Sequence, residues 1–286
     1  MSDRGNHLAV VFDFDDTLLP DATTQFLSAR GYDVERFWGE RLTAMVADGF
    51  DATLAYLQAI LDDIRDGPLT GLTTADLQAF GATLDDTYFT GIPALFEDLH
   101  AVVDRFRDLR LELCIVSSGL LPIIEGSQVV SDHFDSVYAC ELAEAGSGEL
   151  RWIKRCVTFT EKTRYLFEIN KGISRAESGA NPGLVNRRVD HRRIPFENMV
   201  YVGDGLTDIP CFSLLREKGG TAFGVFDPTQ PAKAKRALQE FLRAQRTTSS
   251  HAPRYGPADE LGALLRAAVE TVCHELTLAR SQAWVT

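Results

Sequence analysis

The stretch from His7 to Leu18, HLAVVFDFDDTL, limits what this chain can fold into more than any other. Leu8 to Phe12 is a short unbroken apolar run, the pattern of a strand buried on both faces of a parallel sheet. It runs into Asp13, Asp15 and Asp16, three carboxylates within four residues. Ionised carboxylates at a buried strand end are costly unless something pairs them. A divalent cation is the natural partner, because hard cations take oxygen ligands from Asp and from backbone carbonyls. A lone DxD equally fits a solvated loop after a strand, so the rest of the chain has to decide.

At 286 residues, 45% apolar and 24% charged, the chain can bury a sizeable core as one large domain or a domain with an insert. Its net charge of -12 argues against general nucleic-acid binding and against anionic membrane surfaces. The opening MSDRGNHLAV lacks the apolar stretch of a signal peptide, and no run approaches membrane-spanning length. The five cysteines (114, 140, 156, 211, 273) are scattered without a CxxC, and Cys114, Cys140 and Cys211 sit in apolar, core-like contexts. A reduced cytoplasmic protein without a zinc site is expected.

After Leu18 the pattern turns helical. A short amphipathic helix is predicted over Gln25 to Tyr32, then one capped by Asp33 carrying Phe37, Trp38, Leu42, Met45 and Val46. Asp51 caps a third with Leu54, Leu57, Leu61 and Ile64 on one face, which Gly67-Pro68 breaks. A fourth starts at Thr73 or Thr74. About seventy residues without a strand read as an inserted module, since a crossover needs only a dozen or so. Strands and helices then alternate. Strands are expected at Leu111 to Gly119, Phe134 to Cys140, Asn198 to Gly205 and Thr221 to Phe226, with a hairpin about the turn Ala143 to Glu149. Helices are expected after Pro93, over Leu121 to Val130, from Thr160, over Pro231 to Arg246, and over Ala258 to Leu278; residues 174–193 read as a polar surface loop. The alternation indicates an α/β fold with a doubly wound parallel sheet.

Three strand ends carry complementary polar groups: Asp13 and Asp15, Ser117 and Ser118, Asp204 and Asp208. In open α/β sheets, ligands bind at the carboxyl ends of strands. Here a resemblance becomes plain. Asp13-Phe14-Asp15-Asp16-Thr17 resembles the DxDx[TV] motif of haloacid dehalogenase superfamily phosphatases. Ser117 matches the Ser/Thr ending their second strand, Lys162 their third-motif lysine, and Gly203-Asp204-Gly205-Leu206-Thr207-Asp208 their GDGxxD. The chain most resembles the phosphoserine-phosphatase-like branch. The resemblance implies a Rossmann-like core at residues 1–20 and 90–286 and an α-helical cap at 21–89.

It also implies the chemistry. Asp13 would attack phosphorus to form an aspartyl-phosphate, and Asp15 would protonate the leaving oxygen and then activate water. Asp13, Asp204 and the backbone carbonyl of Asp15 would hold Mg²⁺, with Asp208 ligating through water or orienting a neighbour. Lys162 and Ser117, with Ser118 and backbone N–H groups at the turn, would bind the phosphate oxygens. Lys171 is the rival for the lysine role, and Thr17 steadies the loop. Phosphoserine phosphatases carry a Glu nine residues after the nucleophile. Here that position is Ala22, with Asp21 beside it, and Ser118 replaces a frequent glycine, which together weaken phosphoserine as the substrate. The basic residues Arg187, Arg188, Arg192 and Arg193 read as a solvated loop.

The expected function is Mg²⁺-dependent hydrolysis of a small phosphorylated metabolite by a monomer or homodimer, with no nucleic-acid or membrane partner. Phosphoryl transfer as a mutase or phosphotransferase, and a non-catalytic phosphate-ligand-binding protein, are the alternatives. Dehalogenation is disfavoured because that branch does without Asp15 and the metal.

Overall fold

The computed structural model describes residues 6–146 and 148–283. Residues 1–5, read above for a leader, Ser147 in the expected turn, and residues 284–286 lie outside the described residues.

Seven strands form one sheet: β1 (His7–Phe12), β2 (Arg110–Leu120), β3 (Ser136–Glu144), β4 (Leu150–Arg155), β5 (Met199–Gly203), β6 (Thr221–Val225) and β7 (Ser249–His251). Their order is β4-β3-β2-β1-β5-β6-β7. All neighbours run parallel except β3 and β4, the antiparallel hairpin. The chain starts in the middle and winds outward to both sides, so β1 is flanked by β2 and β5 and is buried along its whole length. That is why its sequence is continuously apolar rather than alternating. Phe12 at its end packs edge-on against Phe96 and Phe134, which belong to elements covering the sheet.

Between β1 and the Ala94–Asp104 helix lie helices but no strand among the described residues. Asp21 caps Ala22–Ala29 by accepting from the Thr24 N–H, three residues earlier than the expected start. Asp33 caps a continuous helical run, Val34–Arg36 to Thr43–Ala47 through a π-helical Phe37–Leu42. Asp51 caps Ala52–Asp66, and Thr73 with Asp76 forms a capping box before Thr74–Gly81. The apolar faces are narrower than expected: Leu57, Leu61 and Ile64 are buried, but Leu54 and Val46 are exposed.

Three expectations change. The 174–193 segment contains a helix, Arg175–Ala180, with a Ser174/Glu177 capping box, and a 3₁₀ turn, Pro182–Asn186. The helix expected over Leu121 to Val130 is two, Leu121–Gly126 and Gln128–His133, parted at Ser127, whose side chain caps the second. Strand β7 was not expected, because Ser249-Ser250-His251 is a three-residue edge with no apolar signal. No helix among the described residues is long and apolar enough to cross a membrane.

Candidate active site

The Asp13 N–H donates to the Val202 carbonyl at 2.8 Å, which carries the β1–β5 ladder one step past β1. Asp13 therefore stands beside Gly203-Asp204 at the carboxyl end of β5. The chain then leaves the sheet in a loop fixed from several sides. Phe14 is fully buried and meets Tyr88 edge-on at 6.2 Å, and its N–H donates to Asp13 Oδ1 at 2.7 Å. Asp16 takes a left-handed backbone (φ 53), which Asp tolerates better than most residues, and its carboxylate pairs with Lys233 at 2.6 Å. The Tyr255 hydroxyl donates to the Thr17 carbonyl at 2.6 Å, and Thr17 is buried, as a loop-steadying residue should be.

Lys162 enters from the Phe159–Lys171 helix and is wholly buried. Its ammonium donates to Asp13 Oδ2 and to Asp208 Oδ1, both at 2.7 Å. Asp208 also accepts from the Tyr201 hydroxyl at 2.7 Å and from the Gly205 N–H at 2.8 Å. Gly203 is required there, since a Cβ on it would lie 2.5 Å from the Asp208 carboxyl carbon. Oxygens of Asp13, Asp204 and Asp208 all lie within 4.8 Å of one another.

This group is electrostatically unbalanced. Burial first, then the Asp208 charge, raises the Asp13 carboxyl from the ordinary 3.8 to about 7, although Lys162 pulls the other way. Burial and the charges of Asp13, Asp208 and Asp16 hold Asp204 well above the carboxylate range. Burial lowers the Lys162 pKa, but Asp13 and Asp208 outweigh it, so the ammonium stays charged. One buried cation faces three carboxylates. The donor set is all oxygen, compact and short of positive charge, which fits a hard divalent cation such as Mg²⁺.

Asp15 stands apart from that cluster. Its Oδ1 accepts from the Ala22 N–H at 2.7 Å. Burial, then the Asp21 charge, raises its pKa well above the ordinary carboxylate value. Its other oxygen faces Gly119, where a Cβ would lie 2.5 Å from Asp15 Oδ2 and 3.3 Å from Ser117 Oγ. Ser117 is buried and its Oγ accepts from the Gly119 N–H at 3.0 Å. The ends of β1 and β2 thus meet across a gap that admits no side chain at position 119.

Two solved structures share this fold. A HAD family hydrolase from Salmonella enterica serovar Typhi aligns with a TM-score of 0.52 at 17% identity, covering 82% of this chain and 66% of that one. A probable phosphoserine phosphatase from Vibrio cholerae aligns with a TM-score of 0.54 at 15% identity, covering 95% of this chain and 67% of that one. In this fold DxDxT follows β1, Ser117 lies near the end of β2, GDGxxD follows β5, and Lys162 lies on the Phe159–Lys171 helix.

No family model matches the sequence. An uncharacterized protein of Borreliella burgdorferi is 31% identical over 241 residues, covering 75% of this chain and 80% of that protein. The two belong to one family, which brings no activity with it.

Not every predicted residue reaches the site. The Ser118 hydroxyl is committed to the Val157 carbonyl at 2.8 Å. Lys171 donates instead to the carbonyls of Val185 and Arg187, at the far end of its helix. Arg187, Arg188 and Arg192 are exposed, and Arg193 pairs with Glu112 near the start of β2, at the opposite end of the sheet. Sequence reasoning missed Tyr56, whose hydroxyl reaches from the Ala52–Asp66 helix to the Ser118 carbonyl at 2.5 Å. It also undervalued Asp21, a helix cap that is at once the largest charge acting on Asp15.

Proposed function

We propose that this chain is a phosphatase of the haloacid dehalogenase superfamily, Mg²⁺-dependent, that hydrolyses a small phosphomonoester through an aspartyl-phosphate on Asp13. The Asp13–Lys162–Asp208 chain beside Asp204, with a separate Asp15 biased toward its protonated form, is the observation that carries this reading. Asp13 is the nucleophile, held in place by the Phe14 N–H and the Lys162 ammonium. Asp15 gives its proton to the leaving oxygen, and its carboxylate then takes a proton from the attacking water. Asp13 and Asp204 would hold Mg²⁺, which would supply positive charge against the phosphoryl oxygens. Asp208 is better employed anchoring Lys162 than ligating directly, since it already accepts from Lys162, Tyr201 and Gly205. Ser117 and backbone N–H groups of the turn take the remaining oxygens, and Ser118 positions that turn. Residues 21–89 act as the cap over this site, supported by the Tyr56 and Tyr88 contacts to the β2 end and the Asp13 loop.

Product analysis tests the reaction. Free phosphate, with no phosphorylated acceptor, is expected from p-nitrophenyl phosphate and from a panel of phosphorylated metabolites. Phosphate appearing only on an acceptor would make the chain a phosphotransferase, and binding without turnover a non-catalytic protein.

Chelation by EDTA is expected to abolish turnover, with Mg²⁺ restoring it and Ca²⁺, which prefers more ligands and looser geometry, inhibiting. Metal binding should be linked to pH. Because the Asp13 pKa is raised from 3.8 to about 7, the metal-free fold keeps a proton that the unfolded chain releases. Metal-free stability is therefore lost as pH rises through that window, and Mg²⁺, which takes the ionised carboxylate, has most to offer above it. The rise in melting temperature on adding Mg²⁺ should be larger at about pH 8 than at about pH 6. An equal rise at both would mean that Asp13 is already ionised without metal.

Gly119→Ala is expected to push the Asp15 carboxylate from its position. Turnover of an alkyl phosphate should fall by about 10²-fold or more, the cost of losing general acid help, while far-ultraviolet circular dichroism stays unchanged. A rate near that of the parent protein would show that Asp15 does not need this packing.

A further inference from the structure

The antiparallel hairpin sets Glu141 opposite Arg155. The next facing positions are Cys140, in β3, and Cys156, one residue past β4. Each thiol bears on the other's pKa, Cys140 lowering that of Cys156 and, after burial, Cys156 raising that of Cys140. Cys140 is buried, Cys156 is half-buried, and both are free thiols. The mechanism above uses neither.

Three contacts tie this pair to the phosphate-binding end of β2. Val157, the residue after Cys156, donates its N–H to Cys140 Sγ at 3.2 Å, and its carbonyl accepts the Ser118 hydroxyl at 2.8 Å. The Tyr56 hydroxyl donates to the Ser118 carbonyl, and after burial the Cys140 thiol is among the groups that raise its pKa. Cys140 itself sits opposite Leu120 in the parallel β2–β3 ladder. Moving either sulfur therefore moves a partner of Ser118, next to Ser117.

We propose that Cys140 and Cys156 form a redox-active dithiol that a hydroperoxide closes into a reversible disulfide, displacing the Ser117–Ser118 end of β2. The thiolate of Cys156 attacks the terminal oxygen of the hydroperoxide, breaking the O–O bond; the leaving alkoxide (hydroxide when the oxidant is hydrogen peroxide) takes a proton to give ROH, and Cys156 becomes a sulfenic acid. Cys140 sulfur then attacks Cys156 sulfur, forming the S–S bond and expelling hydroxide, which leaves as water with the Cys140 proton. In sum, two thiols and one hydroperoxide ROOH give a disulfide, ROH and water, the thiols losing the two electrons that the peroxide gains. A thiol reductant reverses it by exchange. The roles follow from the surroundings. Cys140 lowers the Cys156 pKa against burial and the charges of Asp51 and Glu161, while burial raises that of Cys140. The half-buried, more acidic thiol attacks first and the fully buried one resolves.

The disulfide is tested on the whole protein without reference to catalysis. After exposure to hydrogen peroxide, acid quenching, unfolding and thiol labelling, Cys140 and Cys156 should lose label together and appear as one linked peptide, restored by dithiothreitol. Cys156→Ser should leave Cys140 fully labelled under the same exposure. Overoxidation of Cys156 with Cys140 still labelled, or linkage of a different pair, would overturn the proposal. The displacement rests in part on the phosphatase reading, so it has two readouts. Amide exchange over residues 115–120 should rise in the oxidised protein whether or not the protein turns over substrate. If turnover of p-nitrophenyl phosphate is present, it should fall by about tenfold or more on oxidation, recover on reduction, and become insensitive in Cys156→Ser. Unchanged exchange would sink the displacement. Absent turnover in the reduced protein, with exchange responding, would count against the phosphatase reading alone.

Discussion

Asp13→Asn is expected to lose turnover of every substrate and to form no phosphoenzyme, whereas Asp15→Asn keeps the first half of the reaction. The two carboxylates are two residues apart but occupy different surroundings. Asp13 is gripped by Lys162 and the Phe14 N–H beside Asp204, where phosphorus would be met. Asp15 is held by the Ala22 N–H and faces Gly119, away from Lys162 and favoured in its protonated form by burial and by Asp21. Losing general acid–base help typically costs about 10²–10⁴-fold. An alkoxide leaving group needs the proton, so both steps slow in Asp15→Asn with an alkyl phosphate. The p-nitrophenolate ion leaves readily without one. Rapid quench of Asp15→Asn with p-nitrophenyl phosphate should therefore show a burst close to one equivalent of enzyme, then slow turnover. A burst from Asp13→Asn, or Asp15→Asn matching the parent protein, would reverse the assignment.

The part of this site that could be read in the sequence is the part made by strand ends. A strand buried on both faces leaves a continuous apolar run, so Asp13, Ser117 and Asp204 are marked by what precedes them, and the doubly wound order follows from strands alternating with helices. Lys162 is different: no local pattern separates it from Lys171 on the same helix. Only the fold, which turns the first turn of that helix toward Asp13 and its last residue toward Val185 and Arg187, decides between them. Tyr56 was illegible for the same reason, since its partner lies 62 residues away and its neighbours form an ordinary core stripe. Ala22 was legible only as an absence. In the fold its backbone N–H holds Asp15, and its side chain is a buried methyl where the resembling phosphatases place a carboxylate. The Arg175–Ala180 helix did carry a signal, the S-x-x-E of Ser174 and Glu177, which the surrounding Gly, Pro and Asn obscured.

Lys162→Met should cost the protein both its chemistry and much of its stability, and the two losses should respond differently to pH. Methionine keeps most of the aliphatic stem and removes the ammonium, so the buried Asp13 and Asp208 carboxylates are left facing each other without a cation. Removing one partner of a buried ion pair typically costs about 3–5 kcal/mol. For a chain of this size that lowers the melting temperature by on the order of 10 °C. The cost should shrink as pH falls. Burial already places the Asp13 pKa near neutrality in the parent protein, and losing the Lys162 charge raises it further. Between that value and the variant's higher one the parent ionises Asp13 beside Lys162 while the variant must keep it protonated, so the cost grows with pH above neutrality and levels off below it. Turnover should drop by about 10²–10³-fold at every pH, because an ammonium aimed at the phosphoryl group is lost whatever the state of Asp13. Lys171→Met is the control, since that ammonium serves only surface carbonyls. If Lys171→Met were the more damaging of the two, or the stability loss in Lys162→Met were the same at about pH 5.5 and about pH 8, the buried Asp13–Lys162–Asp208 chain would not be the charge centre of this site.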